Sequence, residues 1–211
     1  MTSVIYNFEK IKKTISDNVN IVAVSKSFKY EKIKPLVDYG HTHFGENKVQ
    51  EAYDKWFLIK KEIPSINLHM IGRLQSNKAK EAVDFFEYIH SVDSVKLANL
   101  LSKFEVSLKK QRKYFIQVNI GKEKQKGGVN IEQLENFFYY CSINLKLNII
   151  GLMAIPPNDG KEKSYFKFLM QLNNSLGLKE LSIGMSSDYK EAIKFHATFI
   201  RIGSAIFGNR N

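Results

Sequence analysis

Short, mostly apolar runs alternate along the chain with longer segments in which apolar residues recur every three or four positions. A continuous apolar run such as residues 21–24 is typical of a parallel strand that is buried on both faces. The three-to-four spacing predicts amphipathic helices between the runs. The segments of strand length are residues 21–24, 42–44, 68–71, 88–89, 114–118, 148–153, 181–183 and 198–202.

Local signals mark several helix boundaries. Four apolar residues at helical spacing predict an N-terminal helix over residues 3–17: Val4, Phe8, Ile11 and Ile15. Polar residues that can cap helices predict further starts at Ser76, at Ser187, and at Asn130 with Gln133 in the spacing of a capping box. Pro35 is expected to start or kink a helix, because proline lacks the N–H that a helix interior uses.

Eight strand–helix units in 211 residues favour one (β/α)8 barrel, a TIM barrel, over an open doubly wound sheet. An open sheet that binds a dinucleotide carries a G-x-G-x-x-G turn after its first strand. This chain continues there as Ser25-Lys26-Ser27, and it shows no repeat or linker. We therefore expect a single α/β barrel domain over residues 1–211, with an extra helix before the first strand.

The formal net charge of +11 suggests a polyanion-binding module as one possible function. However, only four of the 32 basic residues are arginines, the residue that base readout favours, and the lysines are interspersed with acids. A solvated lysine-rich surface is therefore the favoured interpretation. The single cysteine, Cys141, is predicted to be a buried helix residue. No signal-peptide pattern or membrane-length apolar run is present, so we expect a cytoplasmic protein.

Functional groups of such barrels lie just past the carboxyl ends of the strands. The segments after the seventh and eighth predicted strands are rich in serine and glycine, which suits a phosphate site. Hydroxyls, backbone amides and a helix start would meet there, from Ser186, Ser187, Gly203 and Ser204. This combination predicts that the barrel binds a phosphate-bearing ligand.

Lys26 follows the first predicted strand directly, so its amine is expected at the barrel mouth. A partly desolvated lysine is a nucleophile toward carbonyls. Opposite a phosphate site, this predicts either a sugar-phosphate aldolase, with Glu46 as its acid/base carboxylate, or a pyridoxal phosphate protein. A histidine metal site is a further, less favoured alternative, with His41 paired to His43 and with His69 and His90 on neighbouring strands.

Six motifs, in order, resemble the pyridoxal phosphate homeostasis protein family, single-domain relatives of the barrel of bacterial alanine racemase. The motifs are AVSK (23–26), FGENKVQE (44–51), HMIGRLQSNK (69–78), GLMAIP (151–156), GMSSD (184–188) and RIGSAIFG (201–208). The resemblance runs from about residue 4 to residue 208. Two positions depart from the family pattern: Arg73, where proline or histidine is more common, and His196, where glycine is common.

The resemblance implies a barrel of PLP fold type III that holds pyridoxal 5′-phosphate (PLP) as a Schiff base on Lys26. It places Ser186 and the loop with Gly203 and Ser204 at the phosphate, and Asn47 beside the cofactor ring. Arg201 is implied to face the pyridine nitrogen. Because arginine only donates and stays charged, that nitrogen would remain unprotonated and a poorer electron sink. This suits a cofactor holder better than a fast carbanion catalyst.

The resemblance thus implies a non-enzymatic protein that buffers PLP or delivers it to PLP-dependent apoenzymes, with indirect effects on amino-acid balance. A single-domain PLP-dependent amino-acid racemase or related enzyme is the alternative. Alanine racemase uses a second domain and a tyrosine from its partner subunit, and few residues remain after Gly208 to supply that domain. We also expect a monomer, no specific nucleic-acid partner and no metal.

Overall fold

The computed structural model describes residues 2–123 and 127–209 and contains a closed barrel of parallel strands in the order β1 to β8. The strands are β1 Asn20–Val24, β2 His43–Glu46, β3 Asn67–Met70, β4 Tyr88–Val92, β5 Lys113–Gln117, β6 Ile149–Met153, β7 Glu180–Met185 and β8 Phe199–Ile202. Strand β1 closes the ring by pairing with both β2 and β8. The predicted (β/α)8 barrel and all of its strand segments are confirmed.

Helices surround the barrel. They are α1 Ser3–Lys12, α2 Tyr30–Asp38, α3 Val49–Glu62, α4 Ala79–Phe85, α5 Val95–Leu108, α6 Leu134–Tyr139, α7 Glu162–Ser175, α8 Tyr189–Lys194 and α9 Ser204–Phe207. The extra N-terminal helix α1 packs against both α2 and α9, and the Asn7 side chain donates to the Ile206 carbonyl at 3.1 Å. Because α9 spans only four residues, α1 completes the helical ring beside it.

Two apolar clusters stabilise the fold. The larger one lies between strands and helices and includes the fully buried Trp56. The smaller one fills the inside of the barrel with Val22, Tyr88, Phe115, Met153 and Phe199. Strand residues alternate between the two, so the side chains at positions 69, 90, 182 and 201 join the inner cluster. Polar residues are thus buried inside the barrel.

Several predicted helix boundaries are wrong. Helix α1 ends at Lys12 rather than at residue 17. Just beyond this end, the Thr14 hydroxyl donates to the Ile11 carbonyl at 2.7 Å. Helix α2 continues through Pro35 without a break. The missing N–H there removes one bond of the helix, while Ile33 and Leu36 remain fully buried. Burial of the apolar face of α2 therefore stabilises the helix by more than the missing hydrogen bond costs.

The predicted capping residues also differ from the observed ones. Ser76 opens a three-residue 3₁₀ turn, and α4 begins only at Ala79. A similar turn, Ile131–Gln133, follows Asn130, whose side chain makes no capping bond. Ser187 lies one residue before Asp188, which precedes α8. In each case a turn before the helix moves the helix start away from the predicted cap.

Three further features bear on the sequence predictions. Cys141 is buried, in a π-helical turn that continues α6, and burial raises the pKa of its thiol to about 12. His196 has a φ of +60°, in the left-handed region that favours glycine, at the position where the resemblance described above implies that glycine is common. Within the described residues, no helix combines the length and apolar character needed to span a membrane.

Candidate functional site

A cavity of about 880 Å³ opens at the carboxyl ends of the strands. All six predicted cofactor residues line it: Lys26, Asn47, Ser186, Arg201, Gly203 and Ser204. They come from the segments after β1, β2 and β7 and from the end of β8. The geometry of the barrel therefore brings residues from distant parts of the chain to one site.

The backbone on both sides of Lys26 is held by helix α3. The Lys55 ammonium donates to the Ser25 carbonyl at 2.8 Å. On the other side, the Ser27 N–H donates to Glu51 Oε1 at 2.5 Å, and Ser27 has a φ of +65°. A serine in this region of backbone space is held there by its surroundings. Lys26 is therefore presented to the cavity from a fixed backbone.

Glu46 lies behind this backbone and not in the cavity. It is fully buried, and its Oε1 accepts from Ser25 Oγ at 2.6 Å, Lys55 Nζ at 2.9 Å and Trp56 Nε1 at 2.9 Å. The expectation that Glu46 could be an acid/base carboxylate beside Lys26 is therefore wrong. Its side chain points between the sheet and α3, because it follows Gly45, which faces the opposite side of the strand.

Ser186 ties the last two strand-end loops together. Its Oγ accepts from the N–H groups of Gly203 and Ala205, each at 3.3 Å. The hydroxyl hydrogen of Ser186 is therefore available for an acceptor in the cavity. Ser204 is exposed at the start of α9, and Ser187 is exposed at the cavity edge. Hydroxyls and backbone amides thus converge as the sequence predicts.

Arg201 is a buried cation at the base of the cavity, with 4% of its surface exposed. Its Nη1 donates to Ser182 O at 2.7 Å and to Ser182 Oγ at 2.6 Å, and its Nη2 donates to Ala154 O at 3.0 Å. Burial lowers the pKa of the guanidinium to about 10, and the charge of Asp188 acts in the opposite direction. All three acceptors are neutral, so an anionic ligand would compensate this charge.

Asn47 is positioned by a close approach of two loops. A Cβ at Gly72 would lie 2.4 Å from the Asn47 carbonyl oxygen and 2.8 Å from its Cα. Only glycine fits at this contact. The segment after β3 therefore supports Asn47 from behind, and Asn47 lines the cavity beside Ile71.

The charge of the cavity is one-sided. Among the described residues that line it, the charged side chains are Lys26, Arg73 and Arg201, and none is a carboxylate. Apolar walls accompany them, including Val24 and Val118. A site with this balance favours a small anion with an apolar body.

Other residues of the cavity are missed by the sequence predictions. They are Phe28, Arg73, Gln117, Asn119, Ile155 and Met185. Arg73 lines this cavity, whereas the sequence identifies it only as a departure from the family pattern. The positions of Gln117 and Ile155 at strand ends would have identified them, since each follows an apolar run directly.

The histidines form a chain inside the barrel. His43 Nδ1 lies 2.9 Å from His69 Nε2, and His69 Nδ1 lies 2.9 Å from His90 Nε2. His41 does not pair with the ring of His43; its Nε2 donates to the His43 carbonyl at 2.8 Å. Within the described residues, no group of three or more His, Cys, Asp or Glu is arranged to hold a metal ion.

Burial lowers the pKa of each of these histidines, to about 4 for His41 and well below the usual value for His69 and His90. The unfolded chain therefore binds more protons than the native state at acidic pH. The free energy of unfolding should be fully retained above about pH 6.5, the pKa of histidine in the unfolded chain. It should decrease as the pH falls toward 4.

The contribution of His41 alone predicts a loss of roughly 3 kcal/mol between about pH 7.5 and about pH 4. Urea unfolding at a series of pH values measures it. The variant His41→Phe should show a shallower acid dependence than the native chain. Equal pH dependence of the two proteins would contradict the assignment.

The fold and the site together define a single-barrel (β/α)8 protein with a cationic, lysine-bearing cavity at the strand ends. Residues 1–211 match the family described as alanine racemase, N-terminal domain. The chain belongs to this family, and within it to the pyridoxal phosphate homeostasis proteins, as the predicted resemblance indicates.

Two relatives illustrate the likeness. The pyridoxal phosphate homeostasis protein of Synechocystis is 36% identical over 212 residues, covering 96% of this chain and 97% of the relative. That of Escherichia coli K12 is 30% identical over 230 residues, covering 100% and 98%. The two relatives and this chain are therefore of nearly equal extent.

Solved structures agree with the barrel. PipY of Synechococcus elongatus, in a structure with PLP bound, superposes with a TM-score of 0.87 at 34% identity, covering 97% of this chain and 100% of that one. Alanine racemase of Clostridium difficile superposes with a TM-score of 0.80 at 13% identity, and the match covers 57% of its chain. The second likeness concerns the fold alone.

Proposed function

We propose that this protein binds PLP in the strand-end cavity, holds it on Lys26, and buffers or delivers it without catalysing a reaction of its own. The observation that carries the proposal is a cavity with a lysine amine, a buried guanidinium and no lining carboxylate among the described residues. The naming of the relatives and the PLP-bound PipY structure support the same ligand.

Each predicted residue has a proposed role in ligand binding that fits its surroundings. Lys26 would hold the ligand aldehyde through its side-chain amine. Ser186, Gly203 and Ser204 receive the phosphate through hydroxyl and amide donors. Arg201 would donate to the ring nitrogen, and Asn47 would line the site beside the ring. Bound PLP supplies an electrophilic carbon and an electron-withdrawing ring.

The lining favours a holder over a racemase. A racemase needs an acid/base group on each face of its substrate. Apart from Lys26, the charged side chains of the described lining are the two arginines, and a guanidinium only donates hydrogen bonds. We therefore propose transfer of PLP to apoenzymes as the role. A monomeric state and a cytoplasmic location stay predictions.

The ligand assignment is tested with Lys26→Ala. We expect purified protein incubated with PLP to show a visible absorbance band and, after borohydride reduction, a ligand attached to the peptide that contains Lys26. Lys26→Ala should lose both signals. Lys29→Ala, which changes an exposed lysine just before α2, is the matched control and should keep them. An unchanged band in Lys26→Ala would refute the attachment site.

The absence of catalysis is tested separately. We expect no steady conversion of a panel of L-amino acids to their enantiomers above the rate of Lys26→Ala. Chiral chromatography of the amino acids measures this conversion. Sustained turnover that depends on Lys26 would instead establish the racemase alternative.

Ser186→Ala tests the phosphate side of the cavity. The change removes a hydroxyl donor to the ligand and the acceptor of the Gly203 and Ala205 amides. We expect affinity for PLP to fall at least about 10-fold, the lower end of the roughly 1.5–3 kcal/mol typical of a hydrogen bond to a charged group. Affinity for pyridoxal, which lacks the phosphate, should change far less. Equal losses for the two ligands would contradict the assigned phosphate position.

A further inference from the structure

An unbroken line of side-chain hydrogen bonds crosses the inside of the barrel. It runs from His43 through His69 and His90 to Ser182, with each successive separation 2.9 Å, and ends where Arg201 donates to Ser182 Oγ at 2.6 Å. His69, His90 and Ser182 have no exposed surface. The line therefore links Arg201 in the ligand cavity to the opposite part of the barrel.

The far end of the line opens on a second cavity. This cavity has a volume of about 240 Å³ and is lined by α1 residues such as Phe8 and Lys12, by the start of β1, and by His41 and His43. His43 is partly exposed, whereas the two following histidines are fully buried. Only the His43 end of the histidine chain therefore meets solvent.

One set of bond directions gives the Ser182 hydrogen and both buried ring hydrogens an acceptor. A guanidinium only donates, so Ser182 Oγ accepts from it. The serine hydrogen then has His90 Nδ1 as its acceptor, which places the His90 proton on Nε2. That proton is donated to His69 Nδ1, and the His69 Nε2 proton is donated to His43 Nδ1. All three rings are thus assigned to the Nε2–H tautomer.

The bonds also depend on one another. If the His90 proton moved to Nδ1, Ser182 Oγ would accept from both His90 and Arg201, and the serine hydrogen would lose its acceptor. A change of tautomer at one ring requires a change of tautomer at its neighbours, because two donors or two acceptors cannot form a hydrogen bond with each other. Stacked rings limit reorientation: His69 on Tyr88 at 4.2 Å and His90 on Phe115 at 4.3 Å.

We propose that His43, His69, His90 and Ser182 are positioning residues that act as one proton-ordered relay and orient Arg201 toward the ligand from the opposite end of the barrel. The proposal rests on the proposed function in that Arg201 contacts the bound ligand. It goes further by assigning a role to buried histidines that do not line the ligand cavity. A change of acceptor at His43 is thereby transmitted to Arg201.

The first test uses the ligand-free protein with nitrogen-15-labelled histidine. Long-range proton–nitrogen NMR spectra distinguish the two ring tautomers. We expect His69 and His90 to be in the Nε2–H form. The Nδ1–H form at either ring would overturn the relay, whether or not the protein binds PLP.

The second test alters the solvent end of the relay. His43→Phe keeps a ring but removes the acceptor of the His69 proton, so His69 and His90 should show mixed tautomers. PLP affinity should fall roughly 5-fold or more, in the range typical of coupled sites. His43→Asn, whose Oδ1 takes the place of Nδ1 as acceptor, should restore both properties, and it supplies the comparison if His43→Phe does not fold.

The matched control is His41→Phe. His41 is a buried histidine beside the same small cavity, but its ring bonds a backbone carbonyl rather than another ring. We expect native tautomers at His69 and His90 and PLP affinity within about 2-fold of the native chain, since it lies outside the coupled line. Equal effects of His41→Phe and His43→Phe would overturn the relay. If the native protein did not bind PLP, the proposed function would fail, while the tautomer spectra would still decide the relay.

Discussion

Replacing Lys55 by methionine should lower the free energy of unfolding by about 3–5 kcal/mol, the cost of leaving a buried charge without its partner. The Lys55 side chain is 8% exposed and that of Glu46 is fully buried, with 2.9 Å between Nζ and Oε1. In Lys55→Met the Glu46 carboxylate would retain only the neutral donors of Ser25 and Trp56. Urea unfolding measures the loss.

Two further variants separate the buried charge from other effects. Lys34→Met makes the same substitution in an exposed pair with Asp38, in which both side chains are more than half exposed, and should cost at most about 0.5 kcal/mol. The double variant Lys55→Met/Glu46→Gln removes both charges but keeps an acceptor for Trp56, and should recover most of the loss. A single Lys55→Met variant as stable as the native chain would refute this account.

The Lys55→Met variant should also affect the ligand site, because Lys55 holds the backbone next to Lys26. Lys55 Nζ donates to the Ser25 carbonyl, next to Lys26. Without this donor, the Ser25 carbonyl retains only the Phe28 N–H, at 3.2 Å, while the Ser25 N–H still donates to the Gly45 carbonyl at 3.0 Å. We therefore expect slower attachment of PLP to Lys26 in Lys55→Met than in Lys34→Met.

The sequence is sufficient to predict the barrel and the six cofactor residues that meet in the cavity. Buried parallel strands are apolar throughout, so a run such as residues 21–24 stands out from the amphipathic helices beside it. In a closed parallel barrel all strand ends meet on one face, so Lys26 and Gly203 could be placed together without knowing any distance.

The sequence alone does not reveal which way a strand-end side chain points. Glu46 and Lys26 both follow apolar runs, yet one faces helix α3 and the other the cavity, because neighbouring strand residues alternate sides. The line of hydrogen bonds from His43 to Arg201 cannot be predicted from the sequence for the same reason. Its members lie on β2, β3, β4, β7 and β8, and their meeting depends on the stagger of strands inside the barrel.

Arg201→Met should cause a large loss of ligand affinity. The hydrogen bond from a charged donor to the neutral ring nitrogen contributes about 1.5–3 kcal/mol, so its loss corresponds to roughly 10-fold to 150-fold weaker PLP binding. Arg201 is 4% exposed, and its hydrogen bonds within the protein are all to neutral acceptors. A fluorescence titration with PLP measures the change, and circular dichroism verifies the fold.

Arg73→Met supplies the contrast, because it removes the same type of cation from the exposed rim of the same cavity. Exposed charges are screened by water and salt, so the loss should stay below about 5-fold. Arg201→Lys keeps the charge but cannot span the acceptors at Ser182 and Ala154, and should fall between the two. If Arg73→Met and Arg201→Met weakened PLP binding equally, net charge rather than the buried guanidinium would control affinity.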